Sequence, residues 1–203
     1  MARLPPPSPA NLQLPICNCQ FAIPNRPRTF SVSSRQRIRR VNLRLFRRIV
    51  SALLQETWPQ GVCHLAIYLV AEPEMTRLNE TFLRHKGSTD VITFDYAPQP
   101  VRNAECGMRS SGFRTPHSAL PTPHSEVLHG EIFVCLDEAV SQARLFHTTW
   151  QSELVRYVVH GILHLLGYND TDRRGRRNMK TAEDALVRRL ARQFVLPGLA
   201  GKA

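Results

Sequence analysis

Residues 158–172, "VVHGILHLLGYNDTD", constrain the fold more than any other part of the chain. An apolar run carries two histidines, His160 and His164, and it ends at a glycine followed by polar residues. Apolar residues at this spacing predict a helix from about Thr149 to Leu166. Gly167 can adopt the left-handed conformation that commonly follows a helix end, so the polar residues are predicted to lie in a turn.

The two histidines and the turn together have the spacing of a metal site. Residues four apart lie on one face of a helix with Cβ atoms about 5–6 Å apart, so both imidazoles can reach one ion. The turn at Gly167 lets Asp170 approach the same ion. The pattern His160-x3-His164-x5-Asp170 therefore predicts three ligands and an open coordination position, as in catalytic zinc sites. The alternative is that the histidines pack within the helix and Asp170 is a turn residue.

The residue after the first histidine limits the chemistry. HExxH metalloproteases place a glutamate there as the general base, whereas this chain has Gly161. A metal ion would lower the pKa of a water toward about 7, and that water or the substrate would have to supply the base. The sequence therefore identifies no catalytic residue beyond the metal ligands.

The other periodic segments predict a domain that mixes helices and strands. They are a helix of roughly twenty residues from Ser34 with a basic face, a strand at 63–70, a helix at 72–83, strands at 89–96 and 130–135, and helices at 136–147 and 180–196. This order describes a small mixed sheet covered by helices, of the α+β or α/β class.

Composition separates a folded domain from irregular segments. Residues 1–33 are predicted to form a disordered basic extension, because the first thirty residues are rich in proline and lack acids; an organelle transit peptide would share this bias. Residues 34–196 form the predicted domain and residues 197–203 a tail. Within the domain, residues 97–128 lose periodicity and contain the near-repeat "TPHSALPTPHSE", which predicts a flexible insertion rather than a histidine metal site.

The net charge of +11 is unevenly distributed along the chain. Residues 1–50 contain ten arginines and no acid, residues 51–170 eight basic and thirteen acidic residues, and residues 171–203 nine basic and three acidic residues. An acidic middle between basic ends suits a metal site beside surfaces that attract RNA, although arginines that only keep the protein soluble would give the same composition. The sequence predicts no membrane span, and five cysteines without zinc-finger spacing predict a reducing cytoplasm.

The same residues resemble the YbeY family of bacterial metal-dependent endoribonucleases and ribosomal RNA maturation factors. "HGILHLLGYND" (160–170) is similar to the family signature HGxLHLxGYDH. "LNETFLRHKGSTDVITFDY" (78–96) is similar to the family's LNxxYR and TDVLSF segments, and "HGEIFVCLDEAVSQA" (129–143) is similar to its GDIxI and QA segments. The resemblance covers about residues 34–98 and 129–195, in the family's order.

The resemblance implies the fold and the ligands of the site. It implies an α+β fold with a small mixed four-stranded sheet, about five helices, and a metzincin-like helix that carries the metal site. One zinc ion would be bound by His160, His164 and Asp170. Because the family has a histidine at the third position, we expect the aspartate to alter the affinity and the metal preference.

Two other positions can be compared with the family pattern. Leu83 stands where the family has the arginine of LNxxYR, and we assign no role to its neighbour Arg84. Thr89 and Asp90 match the family's TD, but a cap at the start of a strand explains them as well as chemistry does. The resemblance therefore assigns metal ligands and leaves the catalytic residue open.

The function that the resemblance implies is the hydrolysis of single-stranded RNA. We expect a cytoplasmic endoribonuclease that acts in late ribosomal RNA maturation, at the 3′ end of 16S ribosomal RNA, and in ribosome quality control. Its partners would be ribosomal RNA and the small ribosomal subunit, with no membrane and no DNA. Two alternatives are a zinc metalloprotease-like hydrolase and a non-catalytic ribosome-assembly factor.

Overall fold

The computed structural model describes residues 28–59, 61–97 and 127–201. Its elements are β1 (Arg28–Ser34), α1 (Leu43–Thr57), β2 (Val62–Val70), α2 (Glu72–Leu78), a π-helical turn (Asn79–Leu83), β3 (Val91–Asp95), β4 (Val127–Cys135), α3 (Leu136–Leu145), α4 (Trp150–Leu165), α5 (Arg173–Gln193) and a 3-10 turn (Leu196–Leu199). The predicted α+β fold, with a mixed four-stranded sheet and five α-helices in the described part of the chain, is confirmed.

The strands are arranged in the order β1-β2-β4-β3. β1, β2 and β4 run parallel, whereas β3 pairs antiparallel with β4. In the middle of the sheet, Ile132 of β4 lies between Ile67 of β2 and Thr93 of β3. Helix α4 packs against β3 and β4, so the helix predicted to carry the metal site lies at this edge of the sheet.

The main core lies between one face of the sheet and helices α1, α4 and α5. Alternate residues of β2 point into it, so Leu65 and Ile67 are buried whereas His64 is exposed. On the other face, Met75 of α2 packs in a smaller cluster with Phe133. Burying each such side chain contributes about 1.5–3 kcal/mol, so packing from both faces holds the sheet and α4 in place.

Helix α4 is buried along most of its length. Val155, Val159 and Ile162 are almost fully inaccessible and face the core. At Gly161 the helix touches the sheet, because a Cβ atom there would lie 2.8 Å from Cγ2 of Ile132. This close approach leaves no room for the glutamate that HExxH metalloproteases carry at the same position.

The predicted N-terminal boundary is wrong for residues 28–33. These residues form most of β1, which pairs with β2 and buries Val32. The pairing partner lies far along the chain, so the local composition does not reveal it. The helix predicted from Ser34 begins only at Leu43, where the side chain of Asn42 caps its first turn.

The C-terminal predictions also need correction. The predicted tail at residues 197–203 contributes Leu199, which is fully buried in the core. The last helix, predicted from Lys180, begins at Arg173. Asp172 caps this helix by accepting a 2.7 Å hydrogen bond from the backbone N–H of Gly175. An N–H in the first turn has no carbonyl partner within the helix, so the cap supplies the missing acceptor.

Part of the predicted insertion is strand, because residues 127 and 128 belong to β4. Residues 98–126, with the "TPHSALPTPHSE" repeat, lie outside the described residues, as do residues 1–27 of the predicted extension. Among the helices of residues 28–59, 61–97 and 127–201, none has both the length and the apolar character needed to cross a membrane.

Candidate metal centre

Helix α4 ends in two histidines whose side chains meet. The Nε2 atoms of His160 and His164 are 3.1 Å apart. The chain then turns at Gly167, whose φ of +86° is a conformation that glycine adopts without strain. The turn places Asp170 beside the histidines, and one ligand atom from each of the three residues lies within 4.8 Å of the others. The structure therefore brings together the residues that the spacing predicts as metal ligands.

The far side of each imidazole ring is held by a hydrogen bond. Nδ1 of His160 donates to Oε2 of Glu183 at 3.0 Å, and Nδ1 of His164 donates to the backbone carbonyl of Tyr168 at 3.2 Å. With the proton of each neutral ring on Nδ1, both Nε2 atoms carry lone pairs that point at the same region. This is the arrangement in which metal-binding histidines are oriented in proteins, so the residues present fit a divalent cation.

Glu183 of α5 is a site residue that sequence reasoning missed. Its side chain is 8% exposed and forms ion pairs with Arg156 at 2.5 Å and with Lys180 at 3.0 Å, in addition to its contact with His160. The available signal was an acidic residue on the apolar stripe of a predominantly basic helix, where charged side chains are rarely buried unless paired. Its partner on α4 could not be inferred from that signal.

The electrostatics of the two histidines differ because of Glu183. Burial lowers the pKa of His160, but the hydrogen bond and the charge of Glu183 outweigh it and raise the pKa overall. Burial and the neighbouring His160 lower the pKa of His164. Burial raises the pKa of Glu183, whereas hydrogen bonds from His160 and two cations lower it to about 2. Glu183 is therefore ionised at neutral pH, and its carboxylate can accept the Nδ1–H of His160.

The other two positions compared with the family pattern are Thr89–Asp90 and Leu83–Arg84. Oδ1 of Asp90 accepts hydrogen bonds from the hydroxyl of Thr89 at 3.0 Å and from the N–H of Val91 at 2.9 Å, as expected of a cap at the start of β3. Leu83 ends the π-helical turn with an exposed side chain, and Arg84 follows in the left-handed conformation. No contact within the described residues joins Arg84 to the three candidate ligands.

Comparison with known proteins identifies relatives over most of the chain. The family model described as "Endoribonuclease YbeY" matches residues 30–191. The protein named "Endoribonuclease YbeY" from Salinibacter ruber is 34% identical over 124 residues, which are 61% of this chain and 68% of the relative. The protein of the same name from Chlorobium phaeovibrioides is 32% identical over 142 residues, which are 70% of this chain and 78% of the relative.

A solved structure has the same fold. The solution structure of TM1509 from Thermotoga maritima superposes with a TM-score of 0.53 at 22% identity. The alignment covers 86% of this chain and 97% of that protein. The arrangement of sheet and helices described above is therefore shared across a wide sequence distance.

Proposed function

The chain belongs to the endoribonuclease YbeY family, and from that membership we propose that it hydrolyses single-stranded RNA with the help of a divalent metal ion. The observation that supports this proposal most directly is the convergence of His160, His164 and Asp170, whose ligand atoms lie within 4.8 Å of one another. We further propose that the catalytic domain comprises the described residues, with residues 98–126 as an insertion.

The proposed ion is one zinc, held by the two imidazole Nε2 atoms and a carboxylate oxygen of Asp170. When bound, it would polarise a phosphoryl oxygen and lower the pKa of a water molecule. The chain's own contribution is to hold two neutral imidazoles and one negative charge in place and to leave space for the substrate. The chain has Gly161 at the position where HExxH metalloproteases have a glutamate base, and we assign no other residue to proton transfer.

A cluster of arginines beside the centre supports an RNA substrate. Arg173, Arg174, Arg176 and Arg177 are exposed and follow Asp170 within the next seven positions. The guanidinium of Arg176 donates hydrogen bonds to the carbonyl oxygens of Asp170, at 3.1 Å, and Thr171, at 2.9 Å, so it also fixes the loop that carries the third ligand. Exposed arginines that follow a candidate metal ligand closely in sequence can hold backbone phosphates without reading sequence.

The cellular role is a finer proposal that rests on family membership. We propose that the substrate is ribosomal RNA, that cleavage occurs during late maturation near the 3′ end of 16S ribosomal RNA and in quality control, and that the protein works in the cytoplasm on the small ribosomal subunit.

The function can be tested with purified full-length protein, single-stranded RNA, duplex RNA and casein. We expect cleavage of single-stranded RNA that stops when a chelator is added and returns when zinc is restored. Cleavage of casein instead would favour a metalloprotease. RNA binding without cleavage by the zinc-loaded protein would favour an assembly factor, and either result would overturn the nuclease.

The Glu183→Gln substitution tests how the centre is oriented. Glutamine has nearly the same shape as glutamate but lacks the negative charge that accepts the hydrogen bond from Nδ1 of His160. We expect the affinity for zinc, measured by competition with a chelator, to fall about 10- to 100-fold, as is typical when a partner of a metal-binding histidine is replaced.

The matched control is Asp184→Asn. Asp184 contacts the same cations as Glu183, at 2.7 Å from Arg156 and 3.1 Å from Lys180, and the residues joined to it do not include His160. We expect this variant to retain zinc affinity. If both variants weakened zinc equally, the ion-pair cluster rather than the contact with His160 would be responsible.

A further inference from the structure

A cavity of about 450 Å³ opens beside helix α4, next to the candidate metal centre. Its lining includes Asp90 at the start of β3, Glu138, Gln142 and Phe146 from α3 and its end, and Tyr157 of α4. Tyr157 precedes His160 by three positions, about 4.5 Å along the helix axis, so cavity and centre are neighbours on one face of α4. A substrate placed at the centre would therefore extend toward this cavity.

Tyr157 is a buried polar residue that faces the cavity without a partner. Tyr157 as a whole is only 5% exposed, and its hydroxyl makes no hydrogen bond within the described part of the chain. Burial and the nearby carboxylates of Asp90 and Glu153 raise its pKa, so the hydroxyl keeps its proton. Because the hydroxyl is not among the buried polar atoms that lack a partner, it reaches the solvent of the cavity and is free to hydrogen-bond a ligand there.

Helix α3 adds further free hydrogen-bonding groups. The side chains of Glu138 and Gln142 are half-buried in the cavity wall and have no hydrogen-bond partner among the described residues. Oδ1 of Asp90 already accepts two hydrogen bonds, and Arg156 is held by Glu183 and Asp184. The wall is therefore rich in acceptors and negative charge, which repels phosphate and favours a ligand that donates hydrogen bonds.

An aromatic ring stands at the edge of the same cavity. Phe146 is 64% exposed, although apolar rings of this size are usually buried. It follows the last turn of α3, where its N–H donates to the carbonyl of Gln142 at 2.9 Å, so its backbone position is fixed. Exposed rings next to hydrogen-bonding groups are the means by which proteins hold unstacked RNA bases.

We propose that this cavity binds one unstacked nucleobase of the RNA, adjacent to the bond that is cut, and prefers bases with an exocyclic amino group. The base would stack on Phe146 and donate its amino hydrogens to Glu138, while Tyr157 and Gln142 hydrogen-bond its other polar edge atoms. Carboxylates accept from the N4 amino group of cytosine, whereas uracil presents an O4 acceptor that they repel. The inference rests on the proposed RNA substrate and adds base selection to it.

Binding of uncharged nucleosides tests the cavity without relying on catalysis. The full-length zinc-loaded protein is titrated with cytidine and with uridine, and binding is followed by NMR. We expect cytidine to bind at least about fivefold more tightly than uridine. Glu138→Gln should abolish this difference, and Phe146→Ala should weaken cytidine binding by about fivefold or more.

Leu145→Ala is the matched control, because Leu145 is 67% exposed at the same helix end and is not part of the cavity lining. It should bind cytidine like the parent protein. Equal binding of cytidine and uridine, or unchanged selectivity in both cavity variants, would overturn the proposal. So would Mn²⁺ binding that is lost in Glu138→Gln while no nucleoside binds, since the carboxylates would then form a cation site.

Cleavage of RNA oligonucleotides separates this inference from the proposed function. If single-stranded RNA is cut but cytosine and uracil beside the cut are treated alike, the cavity proposal fails and the nuclease stands. If cytidine binding shows the expected selectivity but no RNA is cut, the cavity proposal stands and the nuclease fails.

Discussion

Replacing His164 by alanine is expected to lower metal-dependent RNA cleavage by at least about 1000-fold, which corresponds to about 4 kcal/mol of transition-state stabilisation. The substitution removes one of two Nε2 atoms that lie 3.1 Å apart, so only two of the three proposed ligands would remain and we expect the ion to be bound much more weakly. The initial cleavage rate of a labelled single-stranded RNA, measured with zinc added and with zinc chelated, tests this expectation.

His129→Ala provides the control for His164→Ala. His129 is exposed on β4, and its ring contacts Tyr96 and His64 rather than the candidate ligands. This variant should cleave RNA at the parent rate. If His164→Ala remained folded by circular dichroism and still showed chelator-sensitive cleavage, the catalytic metal would have to be bound elsewhere.

Replacing Asp170 by alanine is expected to weaken zinc binding by more than about 100-fold. The loss should exceed the effect of removing a hydrogen-bond partner such as Glu183, because the carboxylate is proposed to bind the ion itself. The Asp170 carboxylate is also the one negatively charged group among the three proposed ligands. Zinc content after dialysis and competition with a chelator would measure the change, and stoichiometric zinc retained by the alanine variant would exclude Asp170 as a ligand.

Asp170→His separates the role of the ligand from the role of its charge. Histidine restores the residue that the family signature has at this position, and the turn at Gly167 is unchanged. We expect the histidine variant to bind zinc and to discriminate more strongly against Mn²⁺, because carboxylate oxygen suits Mn²⁺ better than imidazole does. Equal preference for the two ions in both proteins would show that the third ligand does not set the metal selectivity.

Several features of the site follow from short-range rules that the sequence displays. Two histidines four positions apart share a helix face whatever the surrounding fold, and Gly167 permits a turn that brings Asp170 back. For the same reason the helix predicted from about Thr149 to Leu166 agrees closely with α4.

Other features depend on residues that are distant in sequence. β1 lies in a segment whose composition predicts disorder, because the strand is stabilised by pairing with β2 rather than by its own residues. Leu199 belongs to the core although it lies in a predicted tail, because the chain returns to the domain after α5. Composition describes one segment at a time, so it cannot report what that segment packs against.

The sequence by itself determined the α+β class, the spacing of the candidate metal ligands at the end of α4 and the family, since each depends on residue order within a segment or on the order of segments. Only the tertiary structure decided that Glu183 contacts His160 and that residues of β3, α3 and α4, with their flanking residues, line an open cavity beside the centre. Hydrogen bonds and cavities of this kind form between elements, and their geometry exists only once packing has set the distances between helices and strands.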